Sequence, residues 1–266
     1  MKQPAYSPNW MESWKLSYQY DLLEFFGDTS DLGYSYAYQR RFNQTIEAVK
    51  RYLSVGDQII DIAAAQGNFS LHLSEMGFAV TWNDLRAELA EYVKLKQDGG
   101  NVEFAVGNCF DLDCTKQFDA AIITEVIEHV AHPDEFLRNT AKLIKPGGYI
   151  IMTTPNGEYI RNNLPKFSEC LDTSIYESEQ FKPDADGHIF LLHREEIEDL
   201  VQKSGLVLKE LRLFTNPLTA GYLGTRHFLR FVPRSIVDRL EAFTSLHNGQ
   251  FLPQLNTHTL SVLWKP

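Results

Sequence analysis

From residue 37 onward the apolar positions of the chain switch between two periods. Phe42, Ile46, Val49 and Leu53 recur at helical spacing over 37–53, and Val55-Gly56-Asp57 stops them. Ile59, Ile60 and Ile62 form a short apolar run around Asp61; a bend of small residues follows, and Phe69, Leu73 and Met76 return to helical spacing. This predicts strand, tight turn, helix. The pattern then repeats. Residues 78–82 read as a second strand, Leu85, Leu89 and Val93 stripe a helix that Asp98-Gly99-Gly100 halts, and 102–106 alternate as a third strand. Residues 120–124 are apolar enough for a strand buried on both faces. A helix opens near Pro133, whose missing N–H costs nothing at a first helical position, and ends at Lys145-Pro146-Gly147-Gly148 before a fifth strand over 149–153. Ile197, Leu200 and Val201 place a helix over 194–203; 206–214 and the alternation Leu260, Val262, Trp264 supply two more strands. Strands alternating with helices at this spacing predict an α/β class, a doubly wound, mostly parallel sheet with helices on both faces.

Three stretches break the pattern. Residues 1–36 are rich in Trp, Tyr and Phe and read as an aromatic arm or lid. Residues 155–187 are polar and read as an insertion over the carboxyl edge of the sheet, and 215–266 as a substrate-side excursion closed by the last strand. The core is then 37–214. The formal net charge of −10, without any block of Lys or Arg, removes the basic face that tight binding to a polyanion requires, so no nucleic acid is expected. Cys109, Cys114 and Cys170 are an odd number without metal-ligand spacing, as in reduced cytoplasmic thiols. The amino terminus lacks an apolar signal core and no run is long enough to span a bilayer, which leaves at most peripheral membrane contact. Nothing in the pattern sets the oligomeric state.

The chemistry gathers at the strand ends. Small residues in the bend after Ile62 let a ligand lie against the backbone, the following helix offers free N–H groups, and Asp61 sits at the end where such sheets bind ligands. The absence of Gly-x-Gly-x-x-Gly argues against a nicotinamide dinucleotide. In Glu125-Val126-Ile127-Glu128-His129, a helical turn starting at Glu125 would put Glu128 and His129 on its face. With His188 as a fourth ligand, Glu125, Glu128 and His129 would suit a divalent cation, the oxygens favouring magnesium and the imidazoles admitting zinc or manganese. The plainer alternative is acidic groups complementing a helix start and histidines that pack; without metal, His129 or His188 is a candidate general base beside Glu128.

Four ordered blocks, IIDIAAAQGNF, VTWNDL, FAVGNCFDL and FDAAIITEVIEHVAHPDEFLRNTAKLIKPGGYIIMTTPN, resemble class I S-adenosylmethionine-dependent methyltransferases, and within them the ubiquinone-biosynthesis O-methyltransferase-like group. The resemblance covers roughly residues 57–214. It implies a seven-stranded Rossmann-like sheet with insertions at its carboxyl edge, S-adenosylmethionine as cofactor, and a small-molecule methyl acceptor, oxygen before nitrogen or carbon. It places the cofactor on Asp61, Ala63, Ala65 and Gly67, on Asp84 for the ribose and Asn108 for the adenine, and on their neighbours Leu85 and Cys109 and on Glu125. The family loop usually reads Asp-x-Gly-x-Gly-x-Gly; with alanine at 63 and 65 the expectation is that both keep φ < 0. Asp84 could equally cap the next helix, and Asn108 could be a turn residue. Competing readings are a non-catalytic scaffold, a small-RNA 2′-O-methyltransferase, and a peripheral membrane enzyme suggested by the apolar stripe from Phe228 to Phe243 with Arg230, Arg234 and Arg239 alongside.

Overall fold

The computed structural model describes residues 1–112, 117–180, 187–251 and 253–266; Cys114 and residues 181–186 of the expected insertion lie outside them. Seven strands form one sheet: β1 (Gln58–Ile62), β2 (Ala79–Asp84), β3 (Val102–Val106), β4 (Phe118–Thr124), β5 (Ile144–Pro155), β6 (Val207–Phe214) and β7 (His258–Trp264), in the order β3-β2-β1-β4-β5-β7-β6. All neighbours are parallel except β7, which runs antiparallel between β5 and β6. The central strands are buried on both faces because their alternate residues feed two cores. Ile60, Ala121, Ile123 and Ile150 pack with α5 (Pro133–Leu143) and α6 (Arg194–Lys203) on one side. Ile59, Ile122, Ile151 and Val262 pack with α2 (Leu32–Tyr52) and α3 (Asn68–Glu75) on the other.

α2 begins five residues before the predicted start, at Leu32, where Asp31 accepts the Tyr34 N–H at 3.1 Å. Its first turns carry tyrosines and serine, whose mixed character hid the period. Ahead of it, α1 (Glu12–Glu24) is anchored by a buried polar knot against α4 (Ala87–Lys96). The Lys96 ammonium donates to Asp21 at 2.7 Å and to Asn68 at 2.5 Å, and the Tyr92 hydroxyl donates to Asp21 at 2.6 Å. Lys96 and Asp21 are both fully buried. Burial pulls the Lys96 pKa below its ordinary value against the opposing charge of Asp21. A buried pair of this kind fixes one arrangement, because either charge left alone is expensive. The last helix, α7 (Arg234–Phe251), follows short 3-10 turns in the 215–266 stretch.

Candidate active site

The bend after β1 is held by its neighbours in a conformation its sequence disfavours. Contrary to the expectation of φ < 0, Ala63 has φ 54° and Ala65 φ 47°. Four bonds override the local preference. Ala64 N–H donates to Asn83 O at 2.9 Å, Ala65 N–H to the Asp84 carboxylate at 2.9 Å, Gly67 N–H to Ala64 O at 2.7 Å, and the Trp82 indole N–H to Ala65 O at 3.1 Å. The loop therefore keeps the shape that glycines would give it, at a strain of about 1–2 kcal/mol per alanine. Gly67 tolerates no such replacement: at φ 71°, an added Cβ would lie 2.8 Å from a Val93 methyl. Asp61 lies beneath the loop and lines none of the three cavities described next. It accepts the Ser70 hydroxyl at 2.6 Å, and burial, which Ser70 only partly offsets, pushes its carboxyl up to about 7.

Beyond the loop, a cavity of about 330 Å³ is walled by Ile62, Leu85, Phe110, Val126, Val130 and Phe136, with Asp84, Asn108 and Cys109 at its rim. Asp84 does not cap α4, whose N-cap is Arg86 without a side-chain cap bond; it stands two residues earlier. It is buried, accepts the Arg86 N–H at the start of α4 (2.9 Å), is covered by the Arg86 guanidinium (3.0 Å), and still borders the cavity. The Asn108 side-chain oxygen caps the next turn through Phe110 N–H at 3.1 Å. Asn83, which sequence reasoning passed over, braces that turn by donating to Ala105 O (2.7 Å) and Gly107 O (2.9 Å). Burial pushes the Cys109 thiol up to about 12, so it serves as wall and not as nucleophile.

Ala63 also borders a second cavity of about 220 Å³, shared with Glu24, Tyr34, Tyr38, Arg41 and Gln66. Tyr34, Tyr38 and Arg41 in turn border a third, of about 270 Å³, closed by Ala220, Gly221, Tyr222, Arg226 and His258. Through these common walls the three run as a trough across the carboxyl ends of β1, β2 and β4. Gly33 lets α2 reach the far wall, since a Cβ there would meet Ala220 O at 2.5 Å.

The floor of the trough departs from the helical turn expected at Glu125. That residue has φ 55°, and only Ile127–His129 coil, as a 3-10 turn. Its carboxylate lies against the Arg41 guanidinium (3.6 Å) and the His258 imidazole (3.6 Å) and is not part of the cluster that Glu128, His129 and His188 form among the described residues. Burial would raise its pKa, but its surroundings, the Arg41 guanidinium first, outweigh that and hold the carboxyl below its ordinary range. His258 is buried, stacks on Phe214, and shares a 2.8 Å hydrogen bond through Nδ1 with the Thr257 hydroxyl. Burial lowers its pKa despite Glu125, leaving a neutral imidazole. Arg41 and His258 were invisible in the sequence, one on the polar side of a helix and the other two residues before an apolar alternation.

Glu128, His129 and His188 do converge: one ligand atom from each lies within 4.8 Å of the others. The two imidazoles meet edge-on at 4.9 Å, and Ile189 N–H, donating to Glu128 O at 2.7 Å, ties the His188 segment to the turn. Glu128 Oε2 accepts the Thr154 hydroxyl at 3.0 Å, whereas Oε1 is buried without a hydrogen-bond partner among the described residues. Burial, then the Glu125 charge, pushes this carboxyl well above its ordinary range. A buried, unsatisfied carboxylate oxygen beside two imidazoles fits a divalent cation.

The strand order and a ligand trough at the carboxyl ends of β1, β2 and β4 define a doubly wound cofactor-binding enzyme. The family described as "Methyltransferase domain" matches residues 34–211, and the chain belongs to it, as a class I S-adenosylmethionine-dependent methyltransferase. Among curated relatives, the ubiquinone biosynthesis O-methyltransferase of Xanthomonas axonopodis pv. citri (strain 306) is 32% identical over 42% of this chain and 53% of its own. That of Rickettsia bellii (strain OSU 85-389) is 32% identical over 52% and 66%. The chain thus spans between half and two thirds of the length of these relatives. Of solved structures, Haemonchus contortus phosphoethanolamine N-methyltransferase 2 with S-adenosyl-L-methionine superposes at TM-score 0.55 and 16% identity, covering 98% of this chain and 61% of that one. The cyclase SpnF superposes at 0.53 and 15%, covering 84% and 80%. At such identities the likeness is one of fold, which does not by itself select a reaction.

Proposed function

We propose that this methyltransferase acts on the hydroxyl oxygen of a small acceptor bound in the third cavity, with His258 taking the proton. The observation that carries this reading is the Glu125–His258 pair, which joins the floor beside the cofactor loop to the acceptor-side wall. S-Adenosylmethionine supplies an electrophilic methyl on a sulfonium. The residues present fit it: the apolar slot takes a planar base, Asp84 offers a carboxylate at the ribose position, and Arg41 offers a cation beside the loop. The protein's remaining work is to hold donor and acceptor in line and to accept a proton. A neutral His258 can receive it, and Glu125 stabilises the imidazolium that results. The names of the curated relatives support an oxygen acceptor, and the two flanking stretches, 1–36 and 215–266, supply the walls that would select it.

A divalent cation on Glu128, His129 and His188 would add a Lewis acid for the accepting hydroxyl. It is checked by the thermal shift that zinc or manganese gives the wild type and fails to give Glu128→Gln. Titration calorimetry with S-adenosylhomocysteine tests the cofactor, and tritiated-methyl transfer to matched phenols, amines and thiols tests the acceptor. Transfer to phenols that falls at least a hundredfold in His258→Gln with unchanged S-adenosylhomocysteine affinity is expected, an estimate drawn from the usual contribution of a general base. Transfer to amines alone, or a fully active His258→Gln, overturns this assignment.

A further inference from the structure

Beyond the third cavity, its wall continues into a surface of different character from the rest of the molecule. Tyr222 and Arg226 line the cavity, and the chain then passes through 3-10 turns over Tyr222–His227 and Leu229–Phe231 into α7. Phe228 is 67% exposed, Phe231 72% and Ile236 53%. Single exposed apolar side chains are ordinary, but three bulky ones within nine residues, rimmed by cations, mark an interaction surface. They are not the core stripe of a packed helix, because the core face of α7 is already filled. Val237 and Glu241 are buried there, and the Glu241 carboxylate accepts the Asn216 N–H at 2.9 Å and the Thr219 hydroxyl.

The charge of this face opposes that of the whole chain. Arg226, Arg230, Arg234 and Arg239 are all exposed, against Asp238 as the one exposed acid of 222–243, in a protein of net charge −10. Arg230 lies over the Phe231 ring at 4.7 Å, so that apolar and cationic groups share one edge.

We propose that this face docks on an anionic lipid surface. Phe228, Phe231 and Ile236 enter the boundary between headgroups and acyl chains, and Arg226, Arg230 and Arg239 meet lipid phosphates. A second copy of the chain is disfavoured as occupant, since a symmetric contact would set four arginines against four. Docking brings the Tyr222–Arg226 side of the acceptor cavity onto the membrane.

Co-sedimentation of the full chain with phosphatidylcholine vesicles, with and without phosphatidylglycerol, tests this. Binding is expected only with phosphatidylglycerol and should weaken with added salt. Phe228→Ser and Phe231→Ser should each lower partitioning roughly tenfold through lost apolar burial. Arg230→Glu and Arg239→Glu should each lower it at least about fivefold. All four side chains are exposed, so unfolding temperatures should match the wild type. No sedimentation with either vesicle, sedimentation indifferent to these substitutions, or a solution dimer that Phe231→Ser dissolves would each overturn the proposal.

Discussion

Replacing Ala63 or Ala65 with glycine should stabilise this protein, the reverse of what alanine-to-glycine changes usually do. An L residue in the left-handed region carries about 1–2 kcal/mol of strain that glycine relieves. Glycine gives back about 0.4–1 kcal/mol through the larger entropy of its unfolded chain. Ala63 is exposed in the trough and Ala65 half-buried, so little packing is lost with either methyl. The net gain is roughly 0.5–1 kcal/mol per site, larger at 63, which for a chain of this size raises the unfolding temperature by about 2 °C. Urea denaturation and calorimetry read the effect, and S-adenosylhomocysteine affinity should hold or improve, because the four bonds that fix the loop are backbone or come from Asp84 and Trp82. A loss of about 1 kcal/mol, the ordinary penalty for glycine where alanine sits at φ < 0, would refute the strained-loop reading.

Asp84→Asn keeps the volume but turns one acceptor into a donor facing Ala65 N–H or Arg86. S-Adenosylhomocysteine affinity by calorimetry should fall by about 2–4 kcal/mol, and unchanged affinity would remove Asp84 from the cofactor site. Lys96→Met strands the Asp21 carboxylate and should cost about 3–5 kcal/mol in urea unfolding, much of it recovered by adding Asp21→Asn. Asp61 gives a pH dependence. With a folded pKa near 7 against an ordinary 3.8, the folded state holds the proton more tightly. The stability this contributes is complete below about pH 4 and lost as pH rises through 7, so relative to Asp61→Asn the wild type should lose roughly 4 kcal/mol between about pH 4 and 8. Parallel pH profiles of the two proteins would show that Asp61 titrates normally.

The legible part of the fold was the part with strong periodicity. β1 through β5 and the helices after them were readable because strands buried on both faces must be apolar throughout and helices covering them must be striped. α1 was not, since its contacts are a polar knot of Asp21, Asn68, Tyr92 and Lys96 contributed by three helices, nor were the first turns of α2, whose Tyr34 and Tyr38 hydroxyls bond Glu24 and Asn68. At the site, the metal-ligand candidates Glu128, His129 and His188 converge as the sequence suggested, whereas Asn83, Arg41 and His258 were not singled out. Asp84 closes β2, and Asn108, Glu128 and His129 follow strand ends, where spacing flags them. Arg41 and His258 have no local signature, and the helical turn that Glu125 could have started is forbidden by its φ of 55°.

The sequence by itself determined the layered, mostly parallel sheet and the helices that flank it, because hydrophobic period and turn residues are local properties that each segment carries alone. Only the tertiary structure decided the conformation of Ala63 and Ala65, the partner of Glu125, and the convergence of Glu128 and His129 with His188 some sixty residues later in the chain. Those outcomes depend on hydrogen bonds and charges between segments distant in sequence, whose combined energy exceeds the one or two kilocalories by which a residue prefers its own backbone region.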